Sequence, residues 1–221
     1  MNQVICTVDV VLLTLQDDGL KVALLKRDRD PFKGVVALPG GYIHIEEDED
    51  ARDAALRVLR EKAHIEAPYL EQLATFSGAA RDPRGWSVSI AYYALVSSEL
   101  IERAAHPAIK LVSVDRLVNL PFDHRTILET AVSRLRSKSQ YSSLPCYLIG
   151  ETFTLPLLQR VYETLMGESI NKVSFRRKMT EMDMLEAVEG AFEAAGAHRP
   201  AQLYRLKPAF KQQLQLLERG L

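Results

Sequence analysis

Cysteine is almost missing from this chain: Cys6 and Cys146 are the only two in 221 residues. They are far apart and lack the paired spacing of metal ligands, which excludes a disulfide framework and a zinc site and suits a reducing cytoplasm. Charge of one sign is missing too. The formal net charge is -1, and acidic and basic groups nearly balance in residues 1–150 and in 151–221 alike. A polybasic protein is thereby excluded, and any nucleic-acid surface must be a local patch. No internal repeat or low-complexity tract appears. The longest apolar stretch, the opening MNQVICTVDVVLLTL, lacks a basic start, contains Asp9 and is too short to span a bilayer. It reads as a buried strand, with no membrane partner implied.

What is there is ordinary globular composition, 47% hydrophobic and 26% charged, in a chain long enough for one large domain or two small ones. Val4–Leu15 and Leu20–Leu25 read as strands joined by an Asp17-Asp18-Gly19 turn. Lys26 and Arg27 follow at the strand end, within reach of a phosphate or simply solvated. The stretch Leu38–Ile65 then organises the chain. A Gly-Gly pair, Gly40 and Gly41, follows a short apolar strand and lets the backbone turn tightly and approach a ligand. An acidic run, Glu46 to Asp50, leads into a helix with apolar positions Ala51, Ala55, Leu56, Leu59 and Ala63, for which Asp50 suits the N-cap. On it Val58, Glu61 and Lys62 fall at i, i+3 and i+4 and share one face.

This stretch resembles the box of the Nudix hydrolases, whose helix ends in Arg-Glu-apolar-any-Glu-Glu-any-Gly-apolar and whose glutamates hold magnesium. Gly41, Arg57, Leu59, Glu61 and Ile65 match. Val58 and Lys62 stand where two metal-binding glutamates belong, His64 replaces the Gly, and two extra residues separate Gly41 from Arg57. Glu61 is the only box ligand retained, so no metal site and no catalytic residue is expected. Magnesium wants hard oxygen ligands, whereas an ammonium ~4 Å from it costs roughly 4 kcal/mol per unit charge at an effective dielectric near 20.

Further on, Leu73–Ser77 and Ser87–Val96 read as strands around the loop RDPRGWSV. Arg81 and Arg84 offer planar forks for phosphate oxygens, Asp82 sits between them, and Trp86 can stack on a base or ribose. This loop resembles that of Nudix domains recognising ADP-ribose-like ligands, especially in NrtR-type transcriptional regulators, and Phe122-Asp123-His124 is similar to that family as well. Asp123 alone is explained by capping the helix expected over His124 to Lys138. Composition changes at 141–150, where a linker is expected between residues 1–140 and 151–221.

The last segment orders its elements as a helix from Thr154 to about Met166, a helix over Asn171–Met179, and two strands. The second helix carries Lys172, Ser174, Arg176, Arg177 and Lys178 around Val173, Phe175 and Met179. The strands contain Leu185–Phe192 and RPAQLYRL, with Arg199, Gln202 and Tyr204, and Leu214 to Leu217 suggest a final helix. This is the outline of a winged helix-turn-helix, in which basic side chains hold phosphates and a few residues read base edges.

The fold class expected is α+β: a Nudix-like α/β/α sandwich with a mixed sheet, followed by a winged helix-turn-helix domain. The resemblance to NrtR-type regulators implies a cytoplasmic homodimer that binds double-stranded operator DNA, senses ADP-ribose and represses NAD-metabolism genes. No cofactor is implied. The ligand-binding residues it suggests are Arg27, Gly40, Gly41, Arg57, Arg81, Asp82, Arg84 and Trp86. Two alternatives stay open: an ADP-ribose pyrophosphatase recruiting Glu46, Glu47 or Asp50 as replacement ligands, and an adaptor that binds a protein through its C-terminal domain.

Overall fold

The computed structural model describes residues 4–116, 119–193 and 200–212. The chain divides into two compact units, 1–134 and 135–221.

The first unit is a mixed sheet with helices packed on it. Strand β1 (Ile5–Gln16) is central, antiparallel to β2 (Gly19–Lys26) and parallel to β6 (Ser87–Leu95). Strand β5 (Tyr69–Gly78) pairs antiparallel with β6, and β7 (Ile109–Ser113) with β2. Seven consecutive residues of β1, Val8 to Thr14, are buried, which accounts for its near-continuous apolar sequence. Val8, Val10 and Leu12 lie in one core cluster with Ala54, Ala55, Val58 and Leu59 of helix α1 (Ala51–Ala63), all 0% exposed. Burial of each Val or Leu there contributes roughly 1.5–3 kcal/mol.

Two short strands position the site. β3 (Val36–Ala37) pairs with the end of β2, and β4 (Gly40–Tyr42) pairs with residues 7–9 of β1. Between them the ladder is interrupted at Leu38 and Pro39. Proline has no N–H to give a sheet, but its carbonyl still accepts from Val10 N–H at 2.8 Å, while Leu38 N–H donates to His124 Nδ1 at 3.1 Å.

Helix α1 begins where Asp50 accepts from Arg52 and Asp53 N–H at 2.7 and 2.9 Å and ends at His64, which is left-handed at φ 55°. The glycine of the Nudix box corresponds to this left-handed position, so His64 holds a conformation that glycine takes without strain. Helices α2 (Ser98–Ala104) and α3 (His124–Ser139) complete the run, and the boundary between the units falls within α3.

The second unit carries α4 (Leu155–Met166), α5 (Lys172–Glu181) and a three-stranded sheet ordered β8 (Phe153–Thr154), β10 (Ala201–Leu206), β9 (Leu185–Glu193), with α6 (Pro208–Gln212) after it. Thr154 caps α4, Pro156 fits its first turn, and Gly167 closes it at φ 73°. Asn171 caps α5 through bonds from Val173 and Ser174 N–H. Phe175 and Met179 are the residues of α5 that turn inward, and Phe175 meets Tyr162 of α4 edge to face. The stretch 141–150, expected as a linker, is built into this unit: a short 3-10 helix, Leu144–Leu148, is wholly buried and packs on α4, and Tyr162 donates to the Ser142 carbonyl at 2.9 Å. Its serines and proline signalled a break, but Leu144, Cys146, Tyr147 and Leu148 are core. The expected helix at Leu214 to Leu217 lies outside the described residues.

Candidate functional site

A cavity of about 270 Å³ opens in the first unit where the β3–β4 break, α1, the loop after β5 and the start of α3 meet. Beneath it lies a buried polar network centred on Asp9, the one carboxylate in the buried stretch of β1. Asp9 accepts from Ser89 Oγ at 2.6 Å and lies 3.5 Å from Arg81 Nη2 and 3.4 Å from His124 Nε2. The bond from Leu38 N–H occupies His124 Nδ1, which sets the Nε2–H tautomer and turns that proton toward Asp9. Burial pushes the Asp9 carboxyl upward, but His124, Ser89 and Arg81 outweigh it and hold it below its ordinary value. Gly40 is the neighbour this network requires. A Cβ there would overlap Asp9 Oδ1 and sit 3.0 Å from the Val8 carbonyl.

The two arginines of the RDPRGWSV loop divide their work. Arg81, with 7% of its side chain exposed, is bidentate to Asp123 at 2.9 Å through Nε and Nη2, and also donates to Ser87 Oγ at 3.1 Å. Asp123 therefore spends its carboxylate on Arg81, not on capping α3. Arg84 is one third exposed, pairs with Asp82 at 2.6 Å, donates to the Tyr42 hydroxyl and lies over the Tyr42 ring. Burial pushes Asp82 up, and the stronger pull of Arg84 leaves it below the usual carboxylate range.

Of the expected ligand residues, Arg27, Gly40, Gly41, Arg57, Arg81, Asp82 and Arg84 all line this cavity, and Trp86 does not. Trp86 is half exposed, and its carbonyl accepts from Ile5 N–H where β6 begins beside β1. Arg57 lines the cavity but is committed elsewhere. It is bidentate to Asp48 at 2.7 and 2.8 Å, donates to the Tyr42 carbonyl at 3.0 Å, and so ties the 42–48 loop to α1. That guanidinium, hydrogen-bonded to Asp48, lowers the carboxyl to about 2.

Sequence reasoning passed over the aromatic wall. Phe122 has φ 56°, uncommon for a bulky side chain, and its ring lines the cavity, with Arg27 at 4.9 Å, Arg84 at 6.0 Å and the Phe32 ring at 4.9 Å. Nothing in the composition of PFDH signals that backbone conformation.

Of the altered box positions, Lys62 lines the same cavity and Val58 does not. Val58 is fully buried beneath Gly41. Lys62 donates from Nζ to the Gly40 carbonyl at 2.5 Å. Glu61 is exposed, 3.6 Å from Arg57. An apolar group in the core and an ammonium do not fit magnesium, which needs oxygen ligands in near-octahedral order.

In the second unit Lys172, Ser174, Arg176 and Arg177 are exposed on α5 and Lys178 is half-buried. Arg177 is 75% exposed and lies 3.6 Å from Glu181. Gln202 is turned into its own sheet: its amide nitrogen lies 2.8–3.0 Å from the Val188, Ala191 and Leu203 carbonyls, at the bulge between β9 and β10. Tyr204 is half-buried in the same strand, paired with both Phe153 and Ala187. Arg199 lies outside the described residues.

A cavity lined by arginines and an aromatic ring in a Nudix sheet, followed by a winged helix with a basic exposed helix face, defines a two-domain protein of the sensor-and-DNA-binder class. Comparison with known proteins agrees domain by domain. Residues 7–133 match the NUDIX domain and residues 145–206 the NrtR DNA-binding winged helix domain. The chain belongs to the NrtR family of Nudix-related transcriptional regulators. It is 38% identical over 203 residues, 90% of this chain and 80% of the relative, to the ADPR responsive transcriptional repressor NtrR of Acinetobacter baylyi. It is also similar to the crystal structure of Shewanella oneidensis NrtR complexed with a 27mer DNA, with a TM-score of 0.90, 40% identity, and coverage of 98% and 99% of the two chains. The Nudix domain of that protein complexed with ADP ribose matches 61% of this chain and 90% of its own length, at a TM-score of 0.56 and 40% identity. Among the described residues no helix is long and apolar enough to cross a membrane.

Proposed function

We propose that this chain is an ADP-ribose-responsive repressor of NAD-metabolism genes, which acts as a homodimer on operator DNA and does not hydrolyse its effector. The observation that carries the reading is a cation-rich, aromatic-walled nucleotide cavity whose box helix offers Val58 and Lys62 at metal positions, in one chain with a winged helix. Arg84, partly exposed above Asp82, is the loop arginine that reaches a diphosphate, while Arg81 builds the floor beneath it. Phe122 and Tyr42 supply π surface for the base or ribose. Lys172, Ser174, Arg176, Arg177 and Lys178 form the DNA-reading face of α5. Two relatives support the assignment: a named ADPR-responsive repressor, and an NrtR solved with DNA and, through its Nudix domain, with ADP ribose.

The test is titration of ADP-ribose into the protein bound to DNA from upstream of its own gene neighbourhood. Release is expected, and linkage requires operator DNA to weaken ADP-ribose binding by the same factor. A coupling of roughly 1–3 kcal/mol, about fivefold to 150-fold, is ordinary for such pairs. Equal ADP-ribose affinity with and without saturating operator overturns the sensor reading. Turnover of ADP-ribose at ~1 per second or more with magnesium or manganese overturns the non-hydrolysing part.

A further inference from the structure

We infer that Lys62 takes over the metal's electrostatic role, its ammonium being the fixed counter-charge for the diphosphate of the bound nucleotide, which therefore binds without a divalent cation. This rests on the nucleotide-binding reading above and adds how the site neutralises its ligand.

The cations of the cavity are not equivalent. Arg57 is neutralised by Asp48, Arg81 by Asp123 and Arg84 by Asp82. Lys62 and Arg27 differ, since their bonds go to backbone carbonyls: Lys62 to Gly40 at 2.5 Å, and Arg27 to Pro31 at 2.7 Å and Arg29 at 3.4 Å. A carbonyl orients a cation without cancelling its charge. Among the described residues no carboxylate forms an ion pair with either. Arg29, also at the cavity, is paired with Asp28. Lys62 and Arg27 are thus the two lining cations held without an ion pair, in a lining where six cations outnumber the five carboxylates Asp9, Asp28, Asp30, Glu61 and Asp82, and a diphosphate brings two further negative charges.

Lys62 is also aimed. The ammonium has three donors, and the Gly40 bond uses one. It is held over the Gly40-Gly41 turn, 3.5 Å from where a Gly41 Cβ would stand, which is van der Waals distance. Lys62 is exposed, yet desolvation first, and then Arg29 and Arg27, depress its pKa, with Asp28 offsetting only part of the effect, as follows when a cation sits in a net positive field. An arriving phosphate relieves that repulsion, whereas a magnesium ion would add to it.

Calorimetry on the full chain tests this with two probes, ADP-ribose and inorganic pyrophosphate, each in EDTA and in excess magnesium. Wild-type affinity for ADP-ribose is expected to be the same within about threefold in both buffers. Lys62→Met is expected to lose about tenfold to a hundredfold, the scale of a charge-assisted hydrogen bond, and Lys62→Arg to recover part of it. Lys62→Glu, which places a second carboxylate beside Glu61, is expected to bind weakly in EDTA and to regain affinity with magnesium. If ADP-ribose fails to bind but pyrophosphate binds the wild type and not Lys62→Met, the effector identity falls and the role of Lys62 stands. Wild-type affinity in Lys62→Met for every probe that binds, a tenfold gain of the wild type with magnesium, or no binding of either probe overturns the inference.

Discussion

Replacing Arg57 with Met tests whether this arginine holds the fold together or holds a ligand. Its guanidinium and the Asp48 carboxylate are 7% and 2% exposed and share two bonds of 2.7 and 2.8 Å. Removing one member of such a buried pair leaves the other charge uncompensated, at a cost of about 3–5 kcal/mol. Asp48 keeps the His44 N–H at 2.7 Å, so the lower end, about 3 kcal/mol, is expected. Converting Asp48 to Asn as well removes the stranded charge and should recover more than half of that loss. The pair also has a pH signature. The folded-state carboxyl lies at about 2 against an ordinary 3.8, so its stabilisation is fully present above pH ~4 and is lost as pH falls toward 2. Allowing for solvent screening, it amounts to about 1–2 kcal/mol. Denaturant unfolding followed by the fluorescence of Trp86, the single tryptophan, reports on the unit that contains the pair. Arg57→Met should lack the stability loss between pH 4 and 2 that the wild type shows. A variant within ~0.5 kcal/mol of wild type at pH 7, with an unchanged acid limb, would refute a structural role for the pair.

Gly40→Ala should unseat Asp9, since its new methyl overlaps Oδ1; a loss of about 1–3 kcal/mol and of measurable ADP-ribose binding is expected, checked by thermal unfolding and calorimetry. His64→Gly should stabilise the first unit by roughly 0.5–1 kcal/mol, because glycine occupies φ 55° without the strain a side chain incurs; a lower melting temperature would count against it. In α5, Arg176→Ala and Arg177→Ala should each flatten the salt dependence of DNA binding by about one unit if they meet phosphates, or relax preference at one base position if they read an edge. Gln202→Ala should weaken all duplexes alike by loosening the wing, and a change in base preference would show that its amide leaves the bulge to touch DNA.

Much of the fold was legible because its long elements announce themselves locally. Asp50, Thr154, Asn171 and Gly167 begin or end their helices through bonds to nearby backbone, and the apolar residues Ile127, Leu128, Ala131, Val132 and Leu135 of α3 are buried. In α1 the match is partial: Ala55, Leu59 and Ala63 are buried, but Ala51 and Leu56 are only half-buried and Ala54 and Val58 are core. The missed elements are short. β4 has three residues, β7 five and α2 seven, too few for a period to declare itself, and β7 is only partly buried. The site was legible in its cations and glycines but not in their duties. That Arg57 and Arg81 serve the scaffold while Arg84 and Lys62 face the cavity depends on Asp48, Asp123 and Asp9. Asp9 and Asp123 meet Arg81 only after β1, β6 and α3 have assembled, and no local pattern encodes such a meeting. Trp86 is the expected ligand residue that the cavity lining lacks: its chemistry suits a base, but it stands half exposed just before β6.

The interrupted ladder at Leu38 and Pro39 has a genealogical consequence. The gap leaves one peptide N–H for His124 to receive, His124 turns its other nitrogen to Asp9, and Asp9 tolerates only glycine at position 40 while sharing Arg81 with Asp123. A lineage that altered Asp9, Arg81, Asp123 or His124 alone would strand a buried charge or an unmet amide, and a side chain at position 40 would meet Asp9, so drift through single steps is costly. Asp9, Gly40, Arg81, Asp123 and His124 should be inherited as a block or replaced as a block.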